Sequence, residues 1–325
     1  MTVYPNTVTP TPDDWLSVVV AGRRALTEYI DEFTLVPART DTLPSWEPGA
    51  HIDVATPAGE VRQYSLCSDP KDPGHYRIAV ERREDGRGGS VSLHRHLFPG
   101  MPTRIGHPRN HFALTRALAY VFVAGGVGIT PLISLIGKAD AAGRPWRLIY
   151  TGRRRSTMAY ADDLVARYGE RVQIHCSQSA GRLDLRRELA GLDRGTAVYT
   201  CGPESMHADV VDACADQPAV DAFSERFTAP GRSAAADEPF EVSLAYSART
   251  LTIPSDRSIL DTLEEHGVLV GSSCRQGICG TCEIGVVSGE VEHRDSVLTP
   301  EERAENESMM ICVSRCTSGR LVLEA

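Results

Sequence analysis

The chain has 325 residues, and at roughly 100–200 residues per domain this length predicts two or three domains. Its residues are 42% apolar and 24% charged, a composition that builds folded cores and excludes a disordered chain. The formal net charge of −9 argues against a nucleic-acid-binding surface. Nine cysteines, an odd number in so long a chain, favour a metal or redox site in the reducing cytoplasm over a disulfide scaffold.

Neither the start of the chain nor its long uncharged run predicts a membrane segment. Residues 1–15 lack the basic and apolar regions of a signal peptide. The uncharged run Ala117–Gly137 is long enough to cross a bilayer, but Gly125, Gly126 and Gly128 interrupt it and Pro131 follows. Glycine and proline there indicate a strand, a turn and a helix. We therefore expect a cytoplasmic monomer that binds neither membrane nor nucleic acid.

The first segment, residues 1–115, is predicted to be mostly strands that Pro and Gly clusters separate, such as Trp15–Ala21, His51–Thr56 and Tyr76–Arg82. It contains R-x-Y-S-L at positions 62–66. Alternate residues of a strand share a face, so Arg62 and Tyr64 point together. An arginine can bind a phosphate, an aromatic ring can lie on a flavin, and a serine hydroxyl can donate to flavin N5. Alone, this pentapeptide also fits an ordinary amphipathic strand.

A glycine cluster follows in the same segment. Residues 86–90 read G-R-G-G-S and precede the short helical pattern VSLHRHL. Glycine-rich backbone that leads into a helix N-terminus is an anion site, and Ser90 is a plausible cap. The alternative is a simple glycine loop before a surface helix. We expect His94 and His96 to lie on that helix surface rather than to bind metal.

The middle segment, residues 116–227, alternates strand-like and helix-like patterns, which predicts βαβ units and a parallel sheet. Strands are expected at Tyr120–Ala124, Arg147–Thr151, Val172–His175 and Ala197–Cys201, and helices at Pro131–Ala141, Met158–Tyr168 and Glu204–Ala215. The first strand runs into G-G-V-G-I-T-P at positions 125–131, where glycines let a pyrophosphate approach a helix that Thr130 would cap. A later strand ends in C-G-P-E-S-M at positions 201–206.

The last segment is set apart by composition and charge. Residues 228–239, TAPGRSAAADEP, lack large apolar side chains and are predicted to be a linker. Residues 240–325 hold 7 arginines and 14 acidic residues, a net charge of −7. Strands are expected at Phe240–Ala245 and Thr250–Ile253, and a short helix at Ser258–Glu265.

A cysteine loop follows this helix. Cys274, Cys279 and Cys282 form C-x4-C-x2-C, and Cys312 lies farther along, which is the plant-type ferredoxin spacing for a [2Fe–2S] cluster. Interleaved glycines would let the backbone turn its N–H groups toward the sulfurs. A zinc site is the alternative, because Cys312 and Cys316 could serve as a second knuckle. Spacing alone does not choose between these two cysteines as the fourth ligand.

Together these motifs resemble the phthalate dioxygenase reductase family, which includes vanillate demethylase reductase subunits and the reductase tails of some self-sufficient cytochromes P450. The stretch CRQGICGTCEIGVVSGEV…MMICVSR is similar to the ferredoxin domain of that family, whose fourth ligand stands in C-x-S-R and here is Cys312. The flavin motifs are similar to its FMN barrel. The two nicotinamide motifs resemble the ferredoxin–NADP reductase superfamily, in which the C-G-P-x-x-M cysteine lies beside the nicotinamide.

The resemblance implies an architecture and a set of site residues. We expect an antiparallel β-barrel flavin domain at 1–115, an α/β nucleotide domain at 116–227, a linker at 228–239 and a β-grasp ferredoxin domain at 240–325. The implied flavin-binding residues are Arg62, Tyr64, Ser65, Leu66, Gly88, Gly89 and Ser90. The implied nicotinamide-binding residues are Gly125, Gly126, Gly128, Thr130, Pro131, Arg153, Arg154, Cys201, Gly202, Pro203 and Met206. The implied catalytic residues are Ser65, Cys201, Glu225 and Phe227, the last as an aromatic that covers the flavin until nicotinamide displaces it.

Two coenzyme choices stay open at this stage. FAD is the alternative to FMN, because related FAD enzymes share R-x-Y-S. The three arginines at positions 153–155 favour NADPH electrostatically, whereas the family resemblance favours NADH. We expect FMN and NADH.

The resemblance implies electron transfer from NADH through flavin and cluster to an oxygenase component, either Rieske-type or a cytochrome P450. The alternatives are a stand-alone NAD(P)H oxidoreductase for small acceptors and a cluster-based redox sensor.

Overall fold

The structure is a computed structural model that describes residues 15–39, 42–217, 219–227 and 237–325. Most of the predicted linker Thr228–Pro239 therefore lies outside the described residues. The chain divides into two compact units, one spanning Trp15–Arg226 and the other containing Phe227–Ala325. Among the described helices, none combines the length and apolar character that crossing a bilayer requires.

The first unit begins with a six-stranded antiparallel sheet. Its strands are β1 (Leu16–Ala25), β2 (Ile30–Pro37), β3 (His51–Ala55), β4 (Val61–Ser65), β5 (Tyr76–Glu81) and β6 (Pro102–Ile105). They lie in the order β4-β3-β6-β1-β2-β5. Ile52 and Val54, two residues apart and therefore on one face of β3, are fully buried. The Cys67 N–H donates to the Arg77 carbonyl at 2.9 Å, which joins the end of β4 to β5 and closes the sheet toward a barrel. Helix α1 (Gly89–His96) follows β5.

A parallel five-stranded sheet forms the rest of this unit. Its elements are β7 (Ala119–Gly125), α2 (Ile129–Ala141), β8 (Trp146–Gly152), α3 (Ala161–Tyr168), β9 (Val172–Cys176), α4 (Ser177–Ala180), α5 (Leu185–Glu188), β10 (Thr196–Cys201), α6 (Glu204–Ala215) and β11 (Val220–Glu225). The order β11-β10-β7-β8-β9 shows that the chain turns back after β9 to place β10 beside β7. In open α/β sheets, ligands bind at such a switch point, beyond the carboxyl ends of the strands.

The second unit is a mixed sheet with two short helices. Its elements are β12 (Phe240–Leu244), β13 (Thr250–Ile253), α7 (Ile259–Glu265), β14 (Glu283–Ser288), β15 (Val291–Glu292), α8 (Pro300–Glu305), β16 (Ser308–Met310), β17 (Arg315–Cys316) and β18 (Arg320–Leu323). The main sheet has the order β13-β12-β18-β14-β16, and β12 runs parallel to β18. Ile259, Leu260 and Leu263 of α7 are fully buried in the core of this unit. The Ser258 hydroxyl caps α7 by accepting from the Asp261 N–H at 3.0 Å.

Three local predictions are wrong. Thr130 does not cap α2, because the tight turn Gly126–Gly128 starts the helix earlier and the Thr130 hydroxyl donates to the Val127 carbonyl at 3.0 Å. Ser90 lies inside α1 instead of capping it, and its hydroxyl accepts from the Arg83 N–H at 3.0 Å. His94 is buried, because its ring lies between the Val80 carbonyl and the Asp31 carboxylate. His96 is exposed, as expected.

Candidate functional site

The carboxyl ends of β10 and β11 bring together two of the predicted catalytic residues. Cys201 and Glu225 are direct partners across these parallel strands, and Cys201 is also the partner of Ala124 on β7. Cys201 is fully buried, and Glu225 buries its Oε2 atom although the residue as a whole is partly exposed. Burial raises the pKa of Glu225 to about 8, and burial together with the nearby Glu225 carboxyl raises the pKa of Cys201. Both side chains are therefore uncharged near neutral pH.

Ser65, at the end of β4, faces the same carboxyl group. Its hydroxyl stabilises the ionised form of Glu225 and so opposes the effect of burial on the pKa of that group. Within the described part of the chain, neither Ser65 Oγ nor Glu225 Oε2 has a hydrogen-bond partner of good geometry, although both atoms are buried. Buried polar atoms without partners are costly. A ligand with a polar edge, such as a flavin or a nicotinamide, would supply the missing partners, so the residues fit these groups.

The two predicted nicotinamide loops pack against each other. A Cβ atom on Gly128 would stand 2.2 Å from the Cys201 carbonyl oxygen, and a Cβ on Gly125 would stand 2.7 Å from Pro203 Cδ and 2.8 Å from Met206 Cε. Only glycine permits this approach. The glycines therefore let the two loops pack closely at the switch point, beside the N-terminus of α2, which is an end of a helix that suits a bound pyrophosphate.

A tyrosine that the sequence analysis did not single out holds the glycine loop. The hydroxyl of Tyr150, on β8, lies 3.0 Å from the Gly126 carbonyl oxygen and 3.1 Å from that of Ala159. Gly126 has a φ of +56°, in the left-handed region. In the sequence, Tyr150 belongs to an apolar strand pattern and is typical of a core residue. Its hydrogen bond to the loop is visible only in the fold.

The predicted flavin-phosphate site is positively charged. A Cβ on Gly89 would stand 2.9 Å from Arg62 Cγ, so the guanidinium side chain lies directly against the first turn of α1. Burial and the nearby charge of Arg87 lower the pKa of Arg62, which forms an ion pair with Glu60. Gly88 precedes the helix with a φ of 88°. Two arginines beside a helix N-terminus form an environment that favours an anion.

Other predicted residues have different environments. Leu66 is fully buried in the barrel core and its N–H donates to the Ala50 carbonyl, so its side chain serves packing. Tyr64 packs against the same core, and burial raises its pKa. Arg153 and Arg154 are exposed after β8, and Arg154 is hydrogen-bonded to Gln178. Phe227 is 39% exposed and belongs to the other unit, so its predicted role against the flavin stays a prediction.

The second unit brings the four predicted cluster cysteines together. All four are buried, at 1–8% exposure. Hydrogen bonds link Cys274 with Cys279 and Cys282 with Cys312, and a third links Cys274 with Cys312. The Cys274 sulfur also accepts from the Gln276 N–H at 3.2 Å, and the Cys279 sulfur lies 3.2 Å from Thr281 Oγ1. Cys316 is not among the partners of these thiols, and its sulfur lies 3.4 Å from Ser318 Oγ.

This arrangement suits two irons. Four neighbouring thiols supply the two thiolates on each iron that a [2Fe–2S] cluster takes. The donor set therefore fits the cluster.

The last two residues of the C-x-S-R motif, Ser314 and Arg315, have structural roles. The Ser314 hydroxyl accepts from the Arg294 N–H at 3.2 Å. The Arg315 guanidinium is buried and donates to the carbonyl groups of Arg257, Pro254 and Glu238 at 2.8–3.1 Å. These bonds tie the strand that follows Cys312 to the start of the unit.

A cleft of about 620 Å³ lies elsewhere in the first unit. Its walls include Trp46, Cys67 and Tyr160, together with residues of α2 and α3. None of the predicted cofactor residues lines it. This cleft is therefore not the predicted cofactor site.

Comparisons with known proteins cover both units of the chain. Residues 244–317 match the family model for a 2Fe-2S iron-sulfur cluster binding domain. Residues 110–222 match the N-terminal domain of the dimethylamine monooxygenase subunit DmmA-like family. Phthalate dioxygenase reductase of Burkholderia cepacia is 36% identical over 321 residues, which cover 97% of this chain and 99% of that protein.

Two solved structures share the fold. A structure described as phthalate dioxygenase reductase, a modular structure for electron transfer from pyridine nucleotides to [2Fe–2S], matches with a TM-score of 0.72 and 36% identity over 98% of this chain and 100% of that one. An intact type IV self-sufficient cytochrome P450 monooxygenase matches with a TM-score of 0.89 and 38% identity over 96% of this chain. The present chain spans 41% of that longer protein.

These matches confirm the predicted fold class of an antiparallel flavin-type barrel, a parallel nucleotide-binding sheet and a ferredoxin domain. They also confirm the resemblance that the cysteine, glycine and R-x-Y-S-L motifs indicated. The chain belongs to the phthalate dioxygenase reductase family, the oxidoreductases that serve oxygenases as reductase components.

Proposed function

We propose that this chain carries electrons from NADH through FMN and a [2Fe–2S] cluster, one at a time, to a partner oxygenase that is either Rieske-type or a cytochrome P450. The observation that carries the proposal is that one chain combines the neutral Cys201–Glu225 pair at a nucleotide-binding switch point with four buried, neighbouring thiols in a second unit. NADPH and FAD are the alternatives to NADH and FMN.

The chain's residues have distinct parts in this function. Arg62 and the start of α1 would hold the flavin phosphate, and the glycine loop after β7 would hold the coenzyme pyrophosphate. Ser65, Cys201 and Glu225 would line the place where nicotinamide and flavin meet, and they exclude water there. Cys274, Cys279, Cys282 and Cys312 would hold the cluster. When bound, the flavin converts a two-electron hydride into single electrons, which the cluster can accept.

The domain limits 1–115, 116–227, 228–239 and 240–325 are part of the same proposal. Sheet bounds support them, because the antiparallel sheet ends at Ile105, the parallel sheet spans Ala119–Glu225 and the third sheet begins at Phe240. The proposal also places the chain in a reducing cytoplasm as a monomer. Nine cysteines, an odd number in a chain of this length, support a reducing compartment over a disulfide scaffold.

The purified protein provides the first test. Its visible spectrum should show both flavin and [2Fe–2S] bands, and the flavin released by denaturation should be FMN. Anaerobic titration should reduce the flavin with NADH at lower concentrations than with NADPH. A reconstituted protein that lacks either set of bands would contradict the proposal.

A pair of cysteine variants tests the route to the acceptor. Cys279→Ser should keep flavin reduction by NADH while abolishing reduction of a one-electron acceptor protein such as cytochrome c through the cluster. Cys316→Ser is the matched control, because that thiol lies outside the four-cysteine group in the same unit. Full acceptor turnover in a Cys279→Ser protein without cluster would favour a stand-alone NAD(P)H oxidoreductase.

A further inference from the structure

The cluster-bearing unit contains a buried carboxylate that the proposed function does not use. The Asp295 side chain has 0% exposure. Its Oδ2 atom accepts from the backbone N–H groups of Val297 at 3.0 Å and Leu298 at 2.9 Å. An aspartate that bonds to the backbone two and three residues ahead forms a fixed turn. Asp295 therefore fixes the backbone orientation of Ser296, which lies between Asp295 and Val297.

This turn lies against the middle of the cysteine loop. The Ser296 N–H donates to the Gly277 carbonyl oxygen at 2.8 Å. Gly277 has a φ of +66°, and a Cβ there would stand 3.0 Å from Asp295 Cα and 2.5 Å from Val313 Cγ2. Gly277 stands between two cluster cysteines in the sequence, and Val313 follows a third. The Asp295 turn therefore touches the loop at a point from which it can orient the peptide groups that face the cluster.

The peptide groups on either side of Gly277 point at cluster sulfurs. The Gly277 N–H stabilises the thiolate form of Cys312, and the Ile278 N–H stabilises that of Cys274. The peptide bond between Gly277 and Ile278 is trans, so its C=O and N–H point in opposite directions. Since Ser296 holds the C=O, it also holds the Ile278 N–H toward the Cys274 sulfur, and the hydrogen bond to the carbonyl polarises that N–H.

We propose that Asp295 is a positioning residue that tunes the reduction potential of the cluster by fixing the Ser296 N–H, and through it the bond from Ile278 N–H to the Cys274 sulfur. The inference rests on the proposed function, because it requires a [2Fe–2S] cluster on these cysteines. Hydrogen bonds to cluster sulfurs stabilise the reduced, more negative state and raise the potential. Loosening the turn should therefore make the cluster harder to reduce.

The negative charge of Asp295 lowers the reduction potential, whereas its hydrogen bonds to the turn raise it. A test has to distinguish these two effects. Two groups border the carboxylate: Arg303 Nη2 lies 3.7 Å from Oδ2, and His293 Nδ1 lies 3.7 Å from Oδ1. Removing a negative charge near the cluster favours the reduced state and raises the potential. Asp295→Asn and Asp295→Ala remove the same charge, but only asparagine keeps a side-chain oxygen that can accept from Val297 and Leu298. The difference between these two variants therefore reports positioning alone.

The experiment is a dye-mediated redox titration of the full-length holoprotein, followed by the electron paramagnetic resonance signal of the reduced cluster. We expect the equilibrium for cluster reduction to be about three- to tenfold less favourable in Asp295→Ala than in Asp295→Asn, where tenfold equals 59 mV for one electron. Asp295→Ser should lie between them, because a serine hydroxyl forms the same turn more weakly. If the alanine variant does not retain its cluster, the comparison of asparagine with serine decides.

Equal potentials in these uncharged variants would overturn the proposal while leaving the proposed function intact. Failure of the parent protein to bind any cluster would instead overturn the proposed function. Asp256→Asn is the control for a simple change of net charge, because Asp256 is an exposed acidic residue of the same unit. Its potential should stay at the parent value.

Discussion

Cys201 and Glu225 are paired across the parallel strands β10 and β11, and burial keeps both of them uncharged near neutral pH. The pair stands at the switch point of the sheet, where the loop after β7 presses its glycines against the Cys201 backbone. Neutral, water-excluding side chains are suited to hydride transfer, because water would allow side reactions of the reactive groups. This arrangement leads to predictions about catalysis and about stability.

The first prediction concerns the thiol. Replacing Cys201 with Ala should slow flavin reduction by NADH by about 10- to 100-fold, because a small displacement of a reacting ring is enough to cost that much. The flavin content should not change, since the implied flavin-binding residues belong to the barrel. Stopped-flow absorbance at the flavin band measures the rate.

Cys214→Ala is the matched control for the thiol. Cys214 is also a buried cysteine, but it lies on α6 within the core on the other side of the sheet from the helices α2 and α3. Its replacement should leave the rate of flavin reduction unchanged. A Cys201→Ala protein that reduces its flavin at the parent rate would show that the thiol has no part in positioning the coenzyme.

The second prediction is a pH dependence of stability. The pKa of Glu225 is raised from 4.5 to about 8 in the folded protein, so the folded state holds a proton that the unfolded state releases. Its contribution to stability is fully present below pH 4.5 and is lost as the pH rises to about 8. Within this window the loss is at most about 1.4 kcal/mol per pH unit.

The glutamine variant isolates this contribution. Glu225→Gln cannot ionise, so its stability relative to the parent protein should increase steadily from pH 5 to pH 8. Urea denaturation followed by tryptophan fluorescence is a suitable measurement, because all three tryptophans belong to the unit that contains Glu225. Parallel stability curves for the two proteins across this range would show that Glu225 ionises normally in the fold.

The elements themselves were largely predictable from the sequence, because their patterns are local. The helix predicted at Glu204–Ala215 has those bounds in the structure, and the strand predicted at Thr250–Ile253 does too. Spacing also indicated the cysteine loop. These features depend on periodicity and on turn residues that lie within a few positions of each other.

The remaining features depend on contacts between distant residues. The start of α2 is determined by the turn at Gly126–Gly128, which rests on the Cys201 carbonyl of a different strand. His94 was expected on the surface of its helix, yet the barrel buries it against Val80. Asp295 carries no motif of its own, and only the fold places its turn on the cysteine loop. Sequence patterns alone do not contain such information.

The third prediction concerns the two loops at the switch point. A Cβ on Gly128 would stand 2.2 Å from the Cys201 carbonyl oxygen. Neither atom can rotate away, because the Cβ is fixed to the Gly128 backbone and the oxygen is part of the Cys201 backbone. Gly128→Ala should therefore separate the loops, destabilise the unit by about 1–3 kcal/mol and weaken NADH binding. The visible bands of the cluster should persist, because the cysteines belong to the other compact unit.

Gly137→Ala gives the matched control for this substitution. Gly137 lies inside α2, and a Cβ there would meet nothing within 4 Å. Alanine should stabilise this helix by about 0.5–1 kcal/mol and leave NADH binding unchanged. Denaturation curves and NADH titrations of the two variants measure both effects. A Gly128→Ala protein with parent-like stability and NADH affinity would mean that the loops move apart without cost.

The last prediction concerns the acidic surface of the cluster-bearing segment. Residues 240–325 carry a net charge of −7, and Glu301 and Glu305 are exposed one turn apart on α8. The same helix contacts the turn beside the cysteine loop, because Arg303 donates to the Asp295 carbonyl at 2.6 Å. An acidic face near the cluster should attract a basic acceptor and speed its approach. Cytochrome c, a basic haem protein, serves as the probe.

Replacing both glutamates with glutamine should slow cytochrome c reduction about two- to fivefold at low ionic strength, and the difference should disappear near 1 M salt, where the Debye length is about 3 Å. Asp193→Asn with Asp216→Asn makes the same change of charge at exposed positions of the other unit. That control should keep the parent rate at every salt concentration. Because screening acts only on charge, a deficit that persists at high salt would indicate a contact of another kind at α8.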